Sequence, residues 1–268
     1  MSELVIGAAY GYRPRDLMPF VLSLRRHYQG DVLFITDTLD AEFTEFYNAH
    51  QIITLELDAN TLANRWDMQH ARFNIYKDVL SEHFQDSTRI LLTDTRDVVF
   101  QDNPFKYPAV AELEFFHEPQ TYNKCACNAK WIKERYGDPA YEELEGKYII
   151  CSGTTMGSRE AIVTYVDAMI EEMEDLRQRI PGMQVLDQPL HAHMIYRGVF
   201  PSYHLFQNGE GAVSTLHHQL VLQMDRQGRL LNKDGTPTPI IHQWDRMGRL
   251  KDVFEYTALN GQGPAPEL

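Results

Sequence analysis

An α/β fold, with a mostly parallel central sheet flanked by helices and a smaller β-hairpin region near the C-terminus, is what this sequence predicts. Apolar runs such as Ile90-Leu91-Leu92 lack polar alternation, as strands buried on both faces of a sheet require. Segments of that kind alternate with amphipathic helical stretches, the order that produces parallel strands joined by crossovers. At 268 residues, 43% hydrophobic and 24% charged, the chain can bury one large core. A single domain over 1–268 is therefore expected, divided into functional halves at about residue 105, with a frayed tail over 259–268 where Gly-Pro-Ala-Pro resists packing.

The N-terminal run ELVIGAAYGYRPRDLMPFVLSLRRHYQGDVLFITD reads as strand, loop, helix and strand, with strands near 4–8 and 32–36 and a helix over 15–28. A third strand is expected near 51–55. A helix over 60–83 follows, in which Arg65, Gln69, Arg72 and Tyr76 form one polar stripe at helical spacing. Phe73, Tyr76 and Leu80 set Arg72 beside a core-facing surface, whereas Arg65 also fits a solvated face. Strands near 89–93, 112–116 and 148–151 come next, with a helix over 128–136 between the last two. The helix over 159–178 is marked by a Ser158 cap and by Ile162, Val166, Met169, Met173 and Leu176 repeating at three and four. One more helix is expected over 189–197. Asp225 to Gly228 and Asn232 to Gly235 are turn signals, from which β-hairpins are expected in the last quarter.

A formal charge of −13 argues against broad nucleic-acid binding, which needs a basic surface to displace counterions. No apolar stretch approaches the ~18 residues of a bilayer span, so no integral membrane segment is expected. Met1-Ser2-Glu3 does not open like a signal peptide, and three cysteines, Cys125, Cys127 and Cys151, suit a reducing compartment. A cytoplasmic location is the resulting expectation. Cys125-x-Cys127 lacks a second ligand pair for zinc. His191 and His193, two apart on a predicted helix, fall on different faces and do not chelate together. Oligomeric state is not readable from the sequence.

The chemistry concentrates in LLTDTRDVVFQ, residues 91–101. Asp94 and Asp97 interrupt an apolar pattern that Val98-Val99-Phe100 resumes, and the carboxyl ends of strands are where ligands collect in open α/β sheets. Two acids there suit a hard cation. This segment resembles the aspartate motif of GT-A-type nucleotide-sugar glycosyltransferases, in which Asp-x-Asp follows an apolar strand, with Asp-x-x-Asp standing in its place here. The resemblance implies a GT-A-like, Rossmann-like fold whose half up to about 105 binds the nucleotide sugar and whose half over about 106–258 binds the acceptor.

It further implies Mn²⁺ or Mg²⁺ on Asp97, with Asp94 on the metal, the ribose or the loop. The late histidine of PIIHQWD, His242, is similar to one that completes the metal site in several families. Ala8, Ala9 and Tyr10 would contact base or ribose, and Thr95 lies in the same donor-binding loop. Arg72 would face the diphosphate. YIICSGTTMGS resembles the turn beneath the donor sugar, where Ser152 and Gly153 allow close approach. Asp187-Gln188 resembles the acidic motif of the acceptor half, which makes Asp187 a catalytic candidate and Gln188 a donor-site candidate.

The residues themselves leave other roles open. Asp94 and Asp97 also suit a turn in which carboxylates satisfy backbone amides. His242 in its apolar run also suits a hydrogen-bonded core position. Asp187 before Pro189 also suits the start of a helix. At the level of activity, the expectation is transfer of a sugar from a nucleotide-diphosphate donor to a hydroxyl of a glycan or other acceptor. The alternatives are a Mg²⁺-dependent phosphohydrolase or nucleotidyltransferase, and a non-catalytic module that binds sugar nucleotides or glycans.

Overall fold

Strand β1 (Ser2–Ala8) opens a computed structural model that describes residues 2–37, 40–58, 62, 67–184, 186–219 and 221–261. Arg65, the start of the helix expected from residue 60, and the tail beyond 261 lie outside the described residues. The chain continues through α1 (Pro14–His27), β2 (Asp31–Thr36), α2 (Ala41–Ala49), β3 (Ile53–Glu56), α3 (Met68–Glu82) and β4 (Ser87–Asp94). Pro14 suits the first helical turn, where its missing N–H costs nothing. Strands β1 to β4 lie in the order β3-β2-β1-β4, all parallel, as alternation with helices predicts.

Both faces of this sheet are buried, and the side chains divide between them with period two. Leu4, Ile6, Ile90 and Leu92 face one core layer, with Phe73 and Leu80 of α3. Val5 and Leu91 face the other, with Leu17, Phe20 and Leu24 of α1. Fully burying a Leu or Ile side chain stabilises by roughly 1.5–3 kcal/mol, so these uninterrupted apolar runs hold the strand ends in place.

After β5 (Val98–Phe100) come β6 (Leu113–Thr121), α4 (Ala126–Leu144), β7 (Tyr148–Ile150), β8 (Thr154–Ser158), α5 (Arg159–Arg179) and α6 (Asp187–Tyr196). Strands β8, β6 and β7 extend the sheet beyond β4 in antiparallel pairings. The expected small-residue turn is thus partly a strand: Thr154 to Gly157 are buried against β4 and β6. Helix α4 outruns the expected 128–136 because the chain kinks at Gly137 (φ 84) and turns helical again past Pro139. The cap of α5 is as expected, with Ser158 Oγ accepting from the Ala161 amide at 3.3 Å.

The chain closes with β9 (Tyr203–Phe206), which pairs with β6, then β10 (Val213–Thr215), β11 (Ile240–His242) and α7 (Leu250–Asn260). Here the expected hairpin region is corrected. The smaller sheet has the order β10-β11-β5, with β10 and β11 parallel and β11 antiparallel to β5. Asp225 to Gly228 and Asn232 to Gly235 do turn, closed by backbone hydrogen bonds and by isolated antiparallel bridges at Met224–Leu230 and Leu231–Pro237 rather than by full strand pairs. Their many side chain to backbone bonds, such as Asp225 Oδ1 accepting from the Gln227 and Arg229 amides, make them self-contained turns. No helix among the described residues is long and apolar enough to cross a membrane.

Candidate metal centre and its cavities

Asp94 ends β4 at the carboxyl edge of the parallel sheet. Residues 95–97 bend, and the chain leaves the large sheet as β5 to join the small one. Val98 of β5 lies opposite His242 of β11, so the imidazole is delivered beside Asp97. The Gln243 amide donates to the Asp97 carbonyl at 2.7 Å and locks that register. Gln243 itself sits in the left-handed region (φ 57), uncommon for a residue with a side chain and a mark of a constrained turn.

One ligand atom each from Asp94, Asp97 and His242 lie within 4.8 Å of one another, and among the described residues no other three His, Cys, Asp or Glu converge in this way. His242 Nε2 is 3.7 Å from Asp94 Oδ2 and 3.8 Å from Asp97 Oδ1, too far for hydrogen bonds. Nε2 is buried and has no hydrogen-bond partner. A Cβ placed on Gly153 would fall 2.6 Å from Asp94 Oδ2 and 2.8 Å from His242 Nε2, so the glycine borders the space between the ligands. A buried ring nitrogen without a partner, facing two carboxylates across such a gap, fits a divalent cation, and the mixed oxygen and nitrogen donors suit Mn²⁺ better than the harder, oxygen-seeking Mg²⁺.

The electrostatics agree with that fit. Burial opposes charge on His242, yet Cys151, Asp94 and Asp97 outweigh it and hold the imidazole well above its ordinary range. The ring is drawn to carry positive charge where a cation would supply it. Burial also disfavours the Asp94 carboxylate, but His242 and Arg72 overcome it and keep this acid well below the usual carboxylate range. For Asp97, burial dominates and pushes the carboxyl up.

Arg72, from α3, is buried and spans two acids: Nη1 donates to Asp94 Oδ1 at 2.9 Å and Nη2 to Asp187 Oδ2. Asp187 is the first residue of α6 rather than its cap, and its carboxylate is directed to the guanidinium. Gln188 ties down the loop after β7, its Oε1 accepting from the Ser152 amide and hydroxyl at 3.0 and 2.8 Å. Its Nε2 donates to the Ile150 carbonyl at 2.7 Å.

Two cavities meet at this centre. One, of about 460 Å³, is bounded by Ala8, Tyr10, Tyr12, Thr95, Arg96 and Asp97. The other, of about 370 Å³, is bounded by Glu118, Asn128, Trp131, Ser152, Gly153 and His242. Gln69, Arg72, Asp94 and Arg246 line both.

The expected site residues thus come together with two qualifications. Ala9 packs into the core beneath the first cavity. Thr95 lines that cavity but donates its hydroxyl proton to the Ala8 carbonyl at 2.8 Å. His191 and His193 have separate partners, His191 bonded to the Tyr165 hydroxyl and His193 stacked on Tyr136.

Several lining residues escape sequence reasoning. Arg246 ends the 3-10 turn Trp244–Arg246 and reaches within 3.4 Å of Asp97 Oδ2, while Arg96 holds Asp245 at 2.6 Å. Glu118 is 7% exposed, borders the second cavity, and makes no hydrogen bond or ion pair among the described residues. Burial pushes its carboxyl up. The signal for it is an acid within the apolar run LEFFHE.

No protein-family model matches the chain, and no curated protein matches it. The chain therefore stands as an α/β protein with an Asp-Asp-His cluster, suited to a divalent cation, at the junction of two cavities.

Proposed function

We propose that the protein is a metal-dependent glycosyltransferase of GT-A-like architecture that moves a sugar from a nucleotide-diphosphate donor to a hydroxyl acceptor. The observation that supports this reading is the position of Asp94, Asp97 and His242 at the meeting point of two cavities, which leaves room for two partners side by side. In this reading Tyr10 and Tyr12 flank the nucleoside in the first cavity. The diphosphate lies toward Arg72, Arg96 and Arg246, whose guanidinium groups stabilise charge that grows as the sugar leaves. Asp94, Asp97 and His242 would hold Mn²⁺ or Mg²⁺, which when bound supplies further neutralisation of the leaving diphosphate. The sugar and acceptor occupy the second cavity over Ser152 and Gly153.

The sequence points to Asp187 as a catalytic residue, a general base on the acceptor hydroxyl if the reaction inverts. With its carboxylate engaged by Arg72, we assign it to holding that guanidinium against Asp94. Glu118, without a partner in the acceptor cavity, is placed to take the proton of the acceptor hydroxyl.

Thermal stability against UDP, GDP, dTDP and CMP, with and without Mn²⁺, tests the reading, because a ligand that binds only the folded state raises the midpoint. A shift with one diphosphate that needs both Mn²⁺ and Asp97 is expected. No shift with any nucleotide, or an Asp97→Ala protein that keeps the full Mn²⁺-dependent shift, overturns it.

A further inference from the structure

Cys151 follows β7 and is 1% exposed, its amide donating to the Phe116 carbonyl at 2.9 Å. Its Sγ lies 3.1 Å from His242 Nδ1, within hydrogen-bonding range for sulfur. The opposite ring nitrogen, Nε2, faces Asp94 and Asp97 and has no hydrogen-bond partner. An imidazole can coordinate a cation through Nε2 only if the lone pair is there, which leaves the ring proton on Nδ1. That proton meets the Cys151 sulfur. Carboxylates and backbone carbonyls are the usual partners of the far nitrogen in histidine metal ligands. In this protein a thiol sulfur occupies the place.

We propose that Cys151 is a positioning residue that accepts the Nδ1 proton of His242, thereby fixing the imidazole orientation and the tautomer that presents Nε2 to a divalent cation. The inference rests on reading the Asp94, Asp97 and His242 cluster as a metal site. Both residues are 1% exposed, so the contact is shielded from bulk solvent although it borders the second cavity. Ile150 and Ser152, on either side of Cys151, are held by Gln188, so the backbone that carries the sulfur is anchored by contacts other than that with His242.

The test is Mn²⁺ affinity of the intact protein, read by electron paramagnetic resonance of free Mn²⁺, for wild type, Cys151→Ser and Cys151→Ala. Loss of such an outer partner weakens metal binding by roughly 10–100-fold, expected for Cys151→Ala, while Cys151→Ser, which keeps an acceptor, stays close to wild type. Equal affinity in wild type and Cys151→Ala overturns the proposal, as does a Cys151→Ser protein as weak as Cys151→Ala. Wild type that binds no Mn²⁺ overturns the metal site itself, a separate outcome. Nitrogen-15 spectra of Mg²⁺-loaded wild type decide the matter without any variant: a proton on Nδ1 is expected, and one on Nε2 sinks the assignment.

Discussion

Gly153 and His242 share a gap that no larger residue at position 153 could leave open: a Cβ there would stand 2.6 Å from His242 Cε1 and 2.8 Å from Nε2. Gly153→Ala should therefore abolish the Mn²⁺-dependent rise in melting temperature. Its cost to the metal-free fold should be that of overpacking, about 1–3 kcal/mol. Melting curves with Mn²⁺ and with a chelator separate the two effects. A Gly153→Ala protein stabilised by Mn²⁺ as strongly as wild type would show that the gap is not where the cation sits.

The Arg72 bridge between Asp94 and Asp187 makes a double prediction. Arg72→Met leaves a buried acid uncompensated, for which about 3–5 kcal/mol is the usual loss, tempered here because Asp94 is partly solvated. Adding Asp187→Leu removes the orphaned charge and should restore much of that stability. Urea unfolding of the single and double variants measures both, and a double variant less stable than Arg72→Met contradicts the account.

Glu118→Gln keeps shape while removing the group proposed to accept the proton of the acceptor hydroxyl. Diphosphate release in the presence of acceptor should fall by roughly 10²–10⁴-fold, the usual contribution of general acid–base catalysis. Nucleotide binding, measured by calorimetry, should not change. Turnover equal to that of wild type would pass the role to another group.

His191 offers a pH prediction away from the metal. It is fully buried, bonded to the Tyr165 hydroxyl and packed on Phe115, and burial, with Arg72 nearby, lowers it to about 3. Below about 6.5 the unfolded chain takes up a proton that the native imidazole refuses, so this group's contribution falls as pH drops from 6.5 toward 3. By pH 5 the loss amounts to about 2 kcal/mol. His191→Phe should be less stable at pH 7 and should lose correspondingly less between pH 7 and 5. Denaturant midpoints at the two pH values check this, and parallel losses in both proteins would contradict it.

The parts of this molecule that were legible in the sequence are those whose pattern is local. Ile90 to Leu92 announce a doubly buried strand, Asp94 and Asp97 stand out against it, and Ser158 with its apolar repeat marks α5. The pieces that were not legible depend on distant partners. Thr154 to Gly157 are small and weakly apolar, and become a central strand only because β4 and β6 flank them. Strands β5, β10 and β11 have three residues each, too few to show a period. Helix α7 is an exception, because Leu250, Val253, Phe254 and Ala258 do repeat at helical spacing, a signal that the expected elements leave out. Glu118 and Glu114 both interrupt the apolar strand β6, yet Glu114 is paired with Arg89 at 2.5 Å, whereas Glu118 makes no hydrogen bond or ion pair among the described residues and feels His242 and Arg246 only at longer range. Only the tertiary structure separates the structural acid from the available one.

The pairing of β5 with β11 also sets the order in which the molecule can mature. During synthesis Asp94 and Asp97 emerge well ahead of His242, which is delivered only with β11. Until β11 docks, two carboxylates face each other without an imidazole between them. A cation held by all three residues would be acquired only once β11 has docked, and would act as a clasp joining distant parts of the polypeptide.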